Sequence, residues 1–203
     1  MTKVILVRHG QTEWNIQGKY QGHSDIELSP LGLEQAKLVG KRLAKEKIDA
    51  VYASDLKRAV KTAEYIANEH TLKVNIIEQF REISFGDWEG LDYKTINEKW
   101  PGKVELFFKN AELNVIPNGE TFLEVTERSC RVMKNLTEKH ADKTIVIVSH
   151  GGTIRTLIAT ALQLRLKYIW NLRQDNTAVN ILNYYDTQTV VELLNDTHHL
   201  NQC

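Results

Sequence analysis

Two histidines that each follow an apolar run are the residues in this sequence best suited to chemistry. Arg8 and His9 come directly after Val4–Val7, and His150 follows the run Thr144–Val148 with Ser149 between them. Each histidine precedes a glycine. Each run predicts a buried β-strand, and the carboxyl ends of parallel strands meet at the sheet edge where α/β proteins bind ligands. If the two strands are neighbours, both imidazoles face one spot. Basic side chains there, each next to a glycine that permits close approach, predict an anion site.

A second arginine and a carboxylate extend this candidate set. Arg58 follows the predicted strand Asp49–Ala53 and lies in the first turn of the next predicted helix, where free amides and the helix dipole favour an anion. Glu82 lies within Phe80–Gly90, a stretch rich in aromatic residues, glycines and carboxylates. Two guanidiniums can hold phosphoryl oxygens, a neutral imidazole can attack phosphorus, and a carboxyl group can protonate the leaving oxygen. We therefore hypothesise covalent phosphoryl transfer, with arginines rather than magnesium offsetting the charge.

Each candidate also has an ordinary explanation. A single histidine after a strand is more often structural than catalytic, and a lone loop carboxylate is usually just solvated. A zinc site formed by His9, Glu82 and His150 is another alternative. Two arginines beside such a cluster disfavour it, because they would repel a cation. The recurrence of basic residues at the same kind of position favours the catalytic explanation.

Strand and helix patterns alternate along the chain and predict one α/β domain over residues 1–203, with three layers and a mostly parallel central sheet. Ser29–Pro30 opens one predicted helix, and Ser54 or Asp55 is expected to cap the helix that contains Arg58. Further predicted elements are a strand at Val74–Ile77, a helix after Pro117–Thr121, a helix at Thr153–Leu164, and strands at Ala178–Tyr184 and Val190–Leu194. The last two strands predict a hairpin at the sheet edge, where two subunits of a homodimer could pair.

Composition limits the classes of partner. Lysine plus arginine equals aspartate plus glutamate, at 26 each, so the chain lacks the basic excess expected of a nucleic-acid or membrane-surface binder. The two cysteines, Cys130 and Cys203, have neither metal-site nor disulfide spacing. No run is apolar enough for a secretory leader or a membrane span. We expect a cytoplasmic protein that acts on a small molecule.

The motifs taken together resemble those of the histidine phosphatase superfamily, the phosphoglycerate mutase-like proteins. The resemblance begins with the sequence LVRHGQTEWN at Leu6–Asn15 and covers nearly the whole chain. The other matching stretches, all in the expected order, are Tyr20–Gly22, Leu28–Gly32, Tyr52–Ala59, Arg81–Gly90, Asn118–Glu120 and Val148–Gly151. This resemblance implies a phosphoglycerate mutase-like fold and an enzyme that uses neither a metal nor a cofactor.

The resemblance also implies a role for each candidate residue. His9 becomes phosphohistidine, and Glu82 donates a proton to the leaving group and then serves as the base for water. Arg8, Arg58 and His150 bind the phosphoryl oxygens and stabilise the transition state. The remaining implied phosphate ligands are Asn15, Gln21, Gly22 and the amide of Gly151.

These roles require particular protonation states. His9 must be neutral at its attacking nitrogen, with the other nitrogen held by a carbonyl such as that of Gly10. His150, as a phosphate ligand, is expected to be protonated, and Glu82 must carry a proton during the first step. We therefore expect an acidic-to-neutral optimum, and a rate that still rises above about pH 9 would contradict these assignments.

Three functions fit this set of residues. The segment Arg81–Gly90 is similar to the phosphatase branch of the family, which predicts hydrolysis of a small phosphorylated metabolite of the broad-specificity, phosphoserine or α-ribazole phosphate type. Phosphoglycerate mutase is the alternative. A non-catalytic phospho-ligand binding module is disfavoured, because the histidines, arginines and glutamate are all present.

Several residues have two competing interpretations. A group of aromatic residues either lines an apolar substrate mouth or belongs to the core: Phe85, Trp88, Tyr93, Trp100 and Phe107. Likewise, His198 or His199 either reaches the pocket mouth or belongs to a solvated tail.

Overall fold

Four strands form the parallel part of a six-stranded sheet in the computed structural model, which describes residues 1–113 and 115–202. The strands are β1 (Thr2–Arg8), β2 (Ala50–Ala53), β3 (Val74–Ile76), β4 (Thr144–Ser149), β5 (Val179–Tyr184) and β6 (Thr189–Asp196). Their order in the sheet is β3-β2-β4-β1-β5-β6, with β5 antiparallel to both β1 and β6. The predicted mostly parallel α/β sheet and its edge hairpin are confirmed. Cys203 lies outside the described residues.

The pairing of β1 with β4 places the two histidine loops side by side. The strands are parallel and in register, with Arg8 opposite Ser149. His9 directly follows β1 and His150 directly follows β4, so both histidines lie at the same edge of the sheet. The condition on which the predicted anion site depends, that the two strands are neighbours, is met.

Helices cover both faces of the sheet. These are α2 (Pro30–Leu43) and α3 (Lys57–Glu69) on one face, and α6 (Phe122–Lys139) and α7 (Gly151–Ala161) on the other. The shorter helices α1 (Glu13–Ile16), α4 (Tyr93–Lys99) and α5 (Lys103–Lys109) lie in the connections between strands. Successive residues of β1 point to opposite faces, as the pleat requires. Ile5 and Val7 pack with α2 and α3, while Val4 and Leu6 pack with α6 and α7. These three layers hold the strand ends, and hence the site, in place.

A third apolar cluster lies beyond the carboxyl edge of the sheet. Its centre is Phe107 of α5, whose ring stacks on Phe122 and meets Trp88 and Trp170 edge-on or tilted. Contacts between aromatic rings of this kind add to the burial of apolar area. The segment containing α4 and α5 therefore forms one wall over the strand ends.

One predicted cap is wrong. Ser29 does cap α2, its Oγ accepting from the amide of Gly32 at 3.1 Å. At the start of α3, however, the capping position is Leu56 and no side chain caps the helix. Ser54 and Asp55 are engaged elsewhere, because the turn between β2 and α3 aims Ser54 at His150 and Asp55 at Arg81.

Within the described ranges, no helix is long and apolar enough to cross a membrane. The β6 strand lies at the sheet edge, and the homodimer suggested by that hairpin stays a prediction.

Candidate active site

A cavity of about 260 Å³ lies where β1 and its neighbours end. Seven of the nine predicted site residues line it: Arg8, His9, Asn15, Gln21, Gly22, Arg58 and Glu82. Gly151 lines a smaller adjoining cavity of about 140 Å³, which shares Arg8 and Glu82 with the first. His150 lines neither cavity but is fully buried beside His9, with ring centroids 5.1 Å apart.

The His9 ring is fixed from behind and open in front. Its Nδ1 lies 2.7 Å from the carbonyl oxygen of Gly10, as expected from the sequence. This contact places the proton on Nδ1 and leaves Nε2 as the unprotonated nitrogen. Burial, followed by the charges of Arg58 and Arg8, holds the pKa of His9 well below its usual value. The ring is therefore neutral at physiological pH and can act as a nucleophile.

The His150 ring is bonded on both nitrogens by neighbouring side chains. Its Nε2 lies 2.6 Å from Ser54 Oγ, and its Nδ1 accepts from Arg58 Nε at 3.3 Å. Burial lowers the pKa of His150 well below its usual value, and Arg58, His9 and Arg8 lower it further. His150 is therefore neutral in the ligand-free site, and the protonated form expected when phosphate is bound stays a prediction. The cause is tertiary: no carboxylate bonds this ring, whereas two guanidiniums and a second imidazole surround it.

The two arginines carry uncompensated positive charge. Arg58 donates to the carbonyls of Ser24 and Gly22 at 2.7 and 2.8 Å, which leaves part of its five-donor guanidinium free. Arg8 donates to the Gln174 carbonyl at 2.7 Å, and its buried Nε has no partner among the described residues. Burial lowers the pKa of each to about 10, so both are still charged at neutral pH. A phosphoryl dianion between them would satisfy both.

The Glu82 carboxylate is held against the first turn of α7. It accepts from the amides of Gly152 and Thr153 at 3.0 and 3.1 Å, and from its own neighbour Ile83 at 3.0 Å. Its backbone is also anchored, because Arg128 donates to the Glu82 carbonyl at 2.8 Å. Since Glu82 lines both cavities, it can meet a group bound at His9 from the side of the leaving oxygen.

The predicted amide ligands form a connected rim. Asn15 Oδ1 accepts from the Thr12 amide at 3.0 Å and from Asn176 Nδ2 at 3.3 Å, and Asn176 also donates to the His9 carbonyl. Gln21 Oε1 accepts from Thr12 Oγ1 at 2.9 Å. With both side-chain oxygens occupied internally, each amide NH₂ group is left as the donor available to an anion.

The structure shows which of the aromatic residues line a cavity and which belong to the core. Phe85 and Tyr93 line the main cavity and Phe107 the adjoining one, together with Phe108, which the sequence did not single out. Trp88 and Trp100 instead belong to the apolar cluster behind them.

The tail histidines lie away from the pocket. His199 is buried and its Nε2 lies 3.1 Å from Thr177 Oγ1, whereas His198 is exposed, and neither lines a cavity at the site. Thr177 belongs to the loop whose amide donates to the Arg8 carbonyl at 3.1 Å. The C-terminal tail therefore contacts the loop that bonds the Arg8 backbone, on the side away from the cavity.

Sequence reasoning missed two residues at the site, Ser54 and Arg155. Ser54 was assigned to helix capping, which is the usual role of a serine at such a position. Arg155 lies one turn after Gly151 in α7, and that spacing alone could have placed it on the face of Gly151.

As for metals, no group of three His, Cys, Asp or Glu side chains in residues 1–113 and 115–202 has a geometry suited to holding an ion.

Comparison with known proteins gives consistent matches over nearly the whole length. The family model of the histidine phosphatase superfamily (branch 1) matches residues 4–197. Phosphoserine phosphatase 1 of Hydrogenobacter thermophilus is 33% identical over 202 residues, covering 100% of this chain and 96% of that protein. Phosphoglycerate mutase-like protein 4 of Arabidopsis thaliana is 36% identical, covering 98% of this chain and 87% of that protein.

A solved structure has the same fold. It is an H9A mutant of phosphoserine phosphatase from Entamoeba histolytica in complex with phosphoserine, with a TM-score of 0.88 and 34% identity. The match covers 98% of this chain and 100% of that one.

Proposed function

Because this chain belongs to the histidine phosphatase superfamily (branch 1), we propose that it is a phosphatase that hydrolyses small phosphomonoesters through a phosphohistidine at His9. The relatives named as phosphoserine phosphatases support hydrolysis as the reaction. The observation that carries the proposal is the excess positive charge of the ligand-free cavity. Two guanidiniums without carboxylate partners and a neutral, oriented imidazole surround a space that a phosphoryl group would fill.

In the first half of the reaction, His9 Nε2 attacks phosphorus and the bond from phosphorus to the ester oxygen breaks. Free N–H groups of Arg8 and Arg58 bind the non-bridging oxygens, which carry the transferred charge throughout. Glu82 gives its proton to the departing alkoxide, so the alcohol leaves neutral. The negative charge of the bound phosphoryl group favours uptake of a proton by His150, whose Nδ1–H then donates to a phosphoryl oxygen in place of accepting from Arg58.

In the second half, water attacks the phosphohistidine. Glu82, now ionised, takes the proton of that water, and the nitrogen–phosphorus bond breaks to release inorganic phosphate. Glu82 is thereby protonated again and His9 returns to its neutral form. No step requires a metal, because the arginines supply the positive charge, and no cofactor is needed.

The aromatic wall and the size of the cavity favour small metabolites as substrates. Phosphoserine and α-ribazole phosphate are the substrate types that the sequence predicts, and the relatives' names favour the former. The segment Arg81–Gly90 fits the phosphatase branch better than a mutase, for which the phosphoryl group would have to return to the substrate.

The test combines turnover and trapping. We expect the purified chain to release p-nitrophenol from p-nitrophenyl phosphate at the same rate with and without EDTA. His9→Ala should lower kcat by at least about 1,000-fold. The control is His70→Ala, since His70 lies in the turn after α3 and bonds the Leu43 carbonyl, away from the cavity. Acid-labile, alkali-stable phosphate should be trapped on the wild-type chain and not on His9→Ala.

Each alternative has its own outcome. Turnover that EDTA abolishes would refute the metal-free mechanism, and turnover retained in His9→Ala would refute the nucleophile. Interconversion of 3- and 2-phosphoglycerate without phosphate release would identify a mutase instead.

A further inference from the structure

A third guanidinium, that of Arg155, faces the site without an ionic partner. The other partly buried arginines outside the phosphate cavity all have a carboxylate within salt-bridge distance, the pairs being Arg42–Asp196, Arg81–Asp55 and Arg128–Glu120. Within the described ranges, Arg155 has none. Its only hydrogen bond there runs from Nε to the Leu172 carbonyl, at 2.7 Å. Both terminal nitrogens are therefore available to a ligand.

The position of Arg155 is fixed from two sides. The carbonyl of Leu172 holds Nε, and the guanidinium carbon lies 5.6 Å from the centroid of the Trp170 ring. A fixed, planar fork of donors matches a carboxylate, which accepts two parallel N–H bonds. The surrounding wall is largely aromatic, so an anion bound there would be poorly screened by water.

Arg155 is close to the phosphate-binding groups. A side-chain carbon built on Gly151 would lie 3.0 Å from Arg155 Nη1 and 3.5 Å from Arg8 Nε. The two guanidiniums thus flank the bare backbone of Gly151. The smaller cavity joins Arg155 to Glu82, the residue that meets the leaving oxygen.

This geometry points to a specificity role. On the premise of the proposed function, we propose that Arg155 binds a carboxylate carried by the alcohol part of the substrate, and so selects phosphate esters of small hydroxy acids. A leaving group that reaches Glu82 extends along α7 towards Arg155, one helical turn from Gly151. A carboxylate three bonds from the ester oxygen, as in an O-phosphorylated 3-hydroxy acid, would enter the space between the Trp170 ring and Glu82. A neutral alcohol would leave Arg155 unpaired.

Two ligands that differ in one group provide the test. 3-Phosphoglycerate and glycerol 3-phosphate share the ester and differ only by a carboxylate in place of a hydroxymethyl group. Binding is measured by titration calorimetry in the His9→Ala chain, so that the result does not depend on turnover. We expect 3-phosphoglycerate to bind about 10- to 100-fold more tightly, the range for hydrogen bonds to a charged group. Adding Arg155→Gln should bring the two Kd values within about threefold, and Arg155→Lys should retain part of the preference.

The control is Arg165→Gln, an exposed arginine paired with Glu112, which should keep the full preference. Equal Kd values before Arg155 is changed, or a preference that survives Arg155→Gln, would overturn the proposal. So would equal weakening of both ligands, because that places Arg155 in phosphate binding. Failure of the phosphatase proposal is seen separately, as absent turnover of p-nitrophenyl phosphate by the wild-type chain.

Discussion

Replacing Gly152 by alanine should move the proposed general acid while leaving the fold intact. The added carbon would lie 2.5 Å from Glu82 Oε1 and 3.2 Å from a ring carbon of Phe122. The Glu82 side chain is the flexible partner, so it must withdraw by about 1 Å to reach an ordinary contact distance. That shift breaks its bonds to the Gly152 and Thr153 amides. A displacement of this size in a catalytic group costs about 100-fold in rate.

The effect should depend on the leaving group. For glycerol 3-phosphate, whose alkoxide needs a proton, we expect kcat/KM to fall about 100-fold. For p-nitrophenyl phosphate, whose phenolate leaves without one, the fall should be about tenfold or less. Alanine favours a helix over glycine by about 1 kcal/mol, which offsets the loss of the bonds between Glu82 and the two amides. The free energy of unfolding should therefore change little. Thr160→Ala, two turns further along α7, is the control for both measurements.

Two results would refute this reasoning. Unchanged kcat/KM with the alkyl ester would mean that the position of Glu82 is not critical. An equal loss with both esters would mean that Gly152→Ala acts through the phosphate pocket rather than through protonation of the leaving group.

The remaining predictions concern the buried histidines. Ser54→Ala should lower kcat/KM about 10- to 100-fold, because it leaves the buried Nε2 of His150 without a partner. The control Ser129→Ala removes a buried hydroxyl bonded within α6 and should leave kcat/KM unchanged. Equal losses of kcat/KM in the two variants would contradict the role of Ser54. The folded-state pKa values of His9 and His150 lie well below their usual value of 6.5. In phosphate-free buffer the unfolded chain therefore takes up protons first. The free energy of unfolding should fall as pH drops below 6.5, by up to about 1.4 kcal/mol per pH unit for each histidine. A free energy of unfolding in urea that is the same at pH 6.5 and 5.5 would refute this prediction.

Local patterns predicted the position of most site residues. His9 and His150 were found because a buried apolar run that ends in a polar residue indicates a strand terminus, and Arg58 because a helix start is a local feature. Their convergence then followed from the neighbouring parallel strands β1 and β4. Ser54 was misassigned because helix capping and hydrogen bonding to a distant imidazole require the same residue type. Only the turn geometry distinguishes the two.

The sequence alone determined the α/β architecture, the family and the set of residues that could handle a phosphoryl group, since each of these depends on residue type and on spacing within short segments. The tertiary structure alone decided that His150 is neutral, that Gly152 leaves room for the Glu82 carboxylate, and that Arg155 faces the leaving-group side unpaired. The physical reason is that desolvation, charge–charge repulsion and steric contact are sums over neighbours in space. Those neighbours come from segments as far apart as β1, the Glu82 loop and α7.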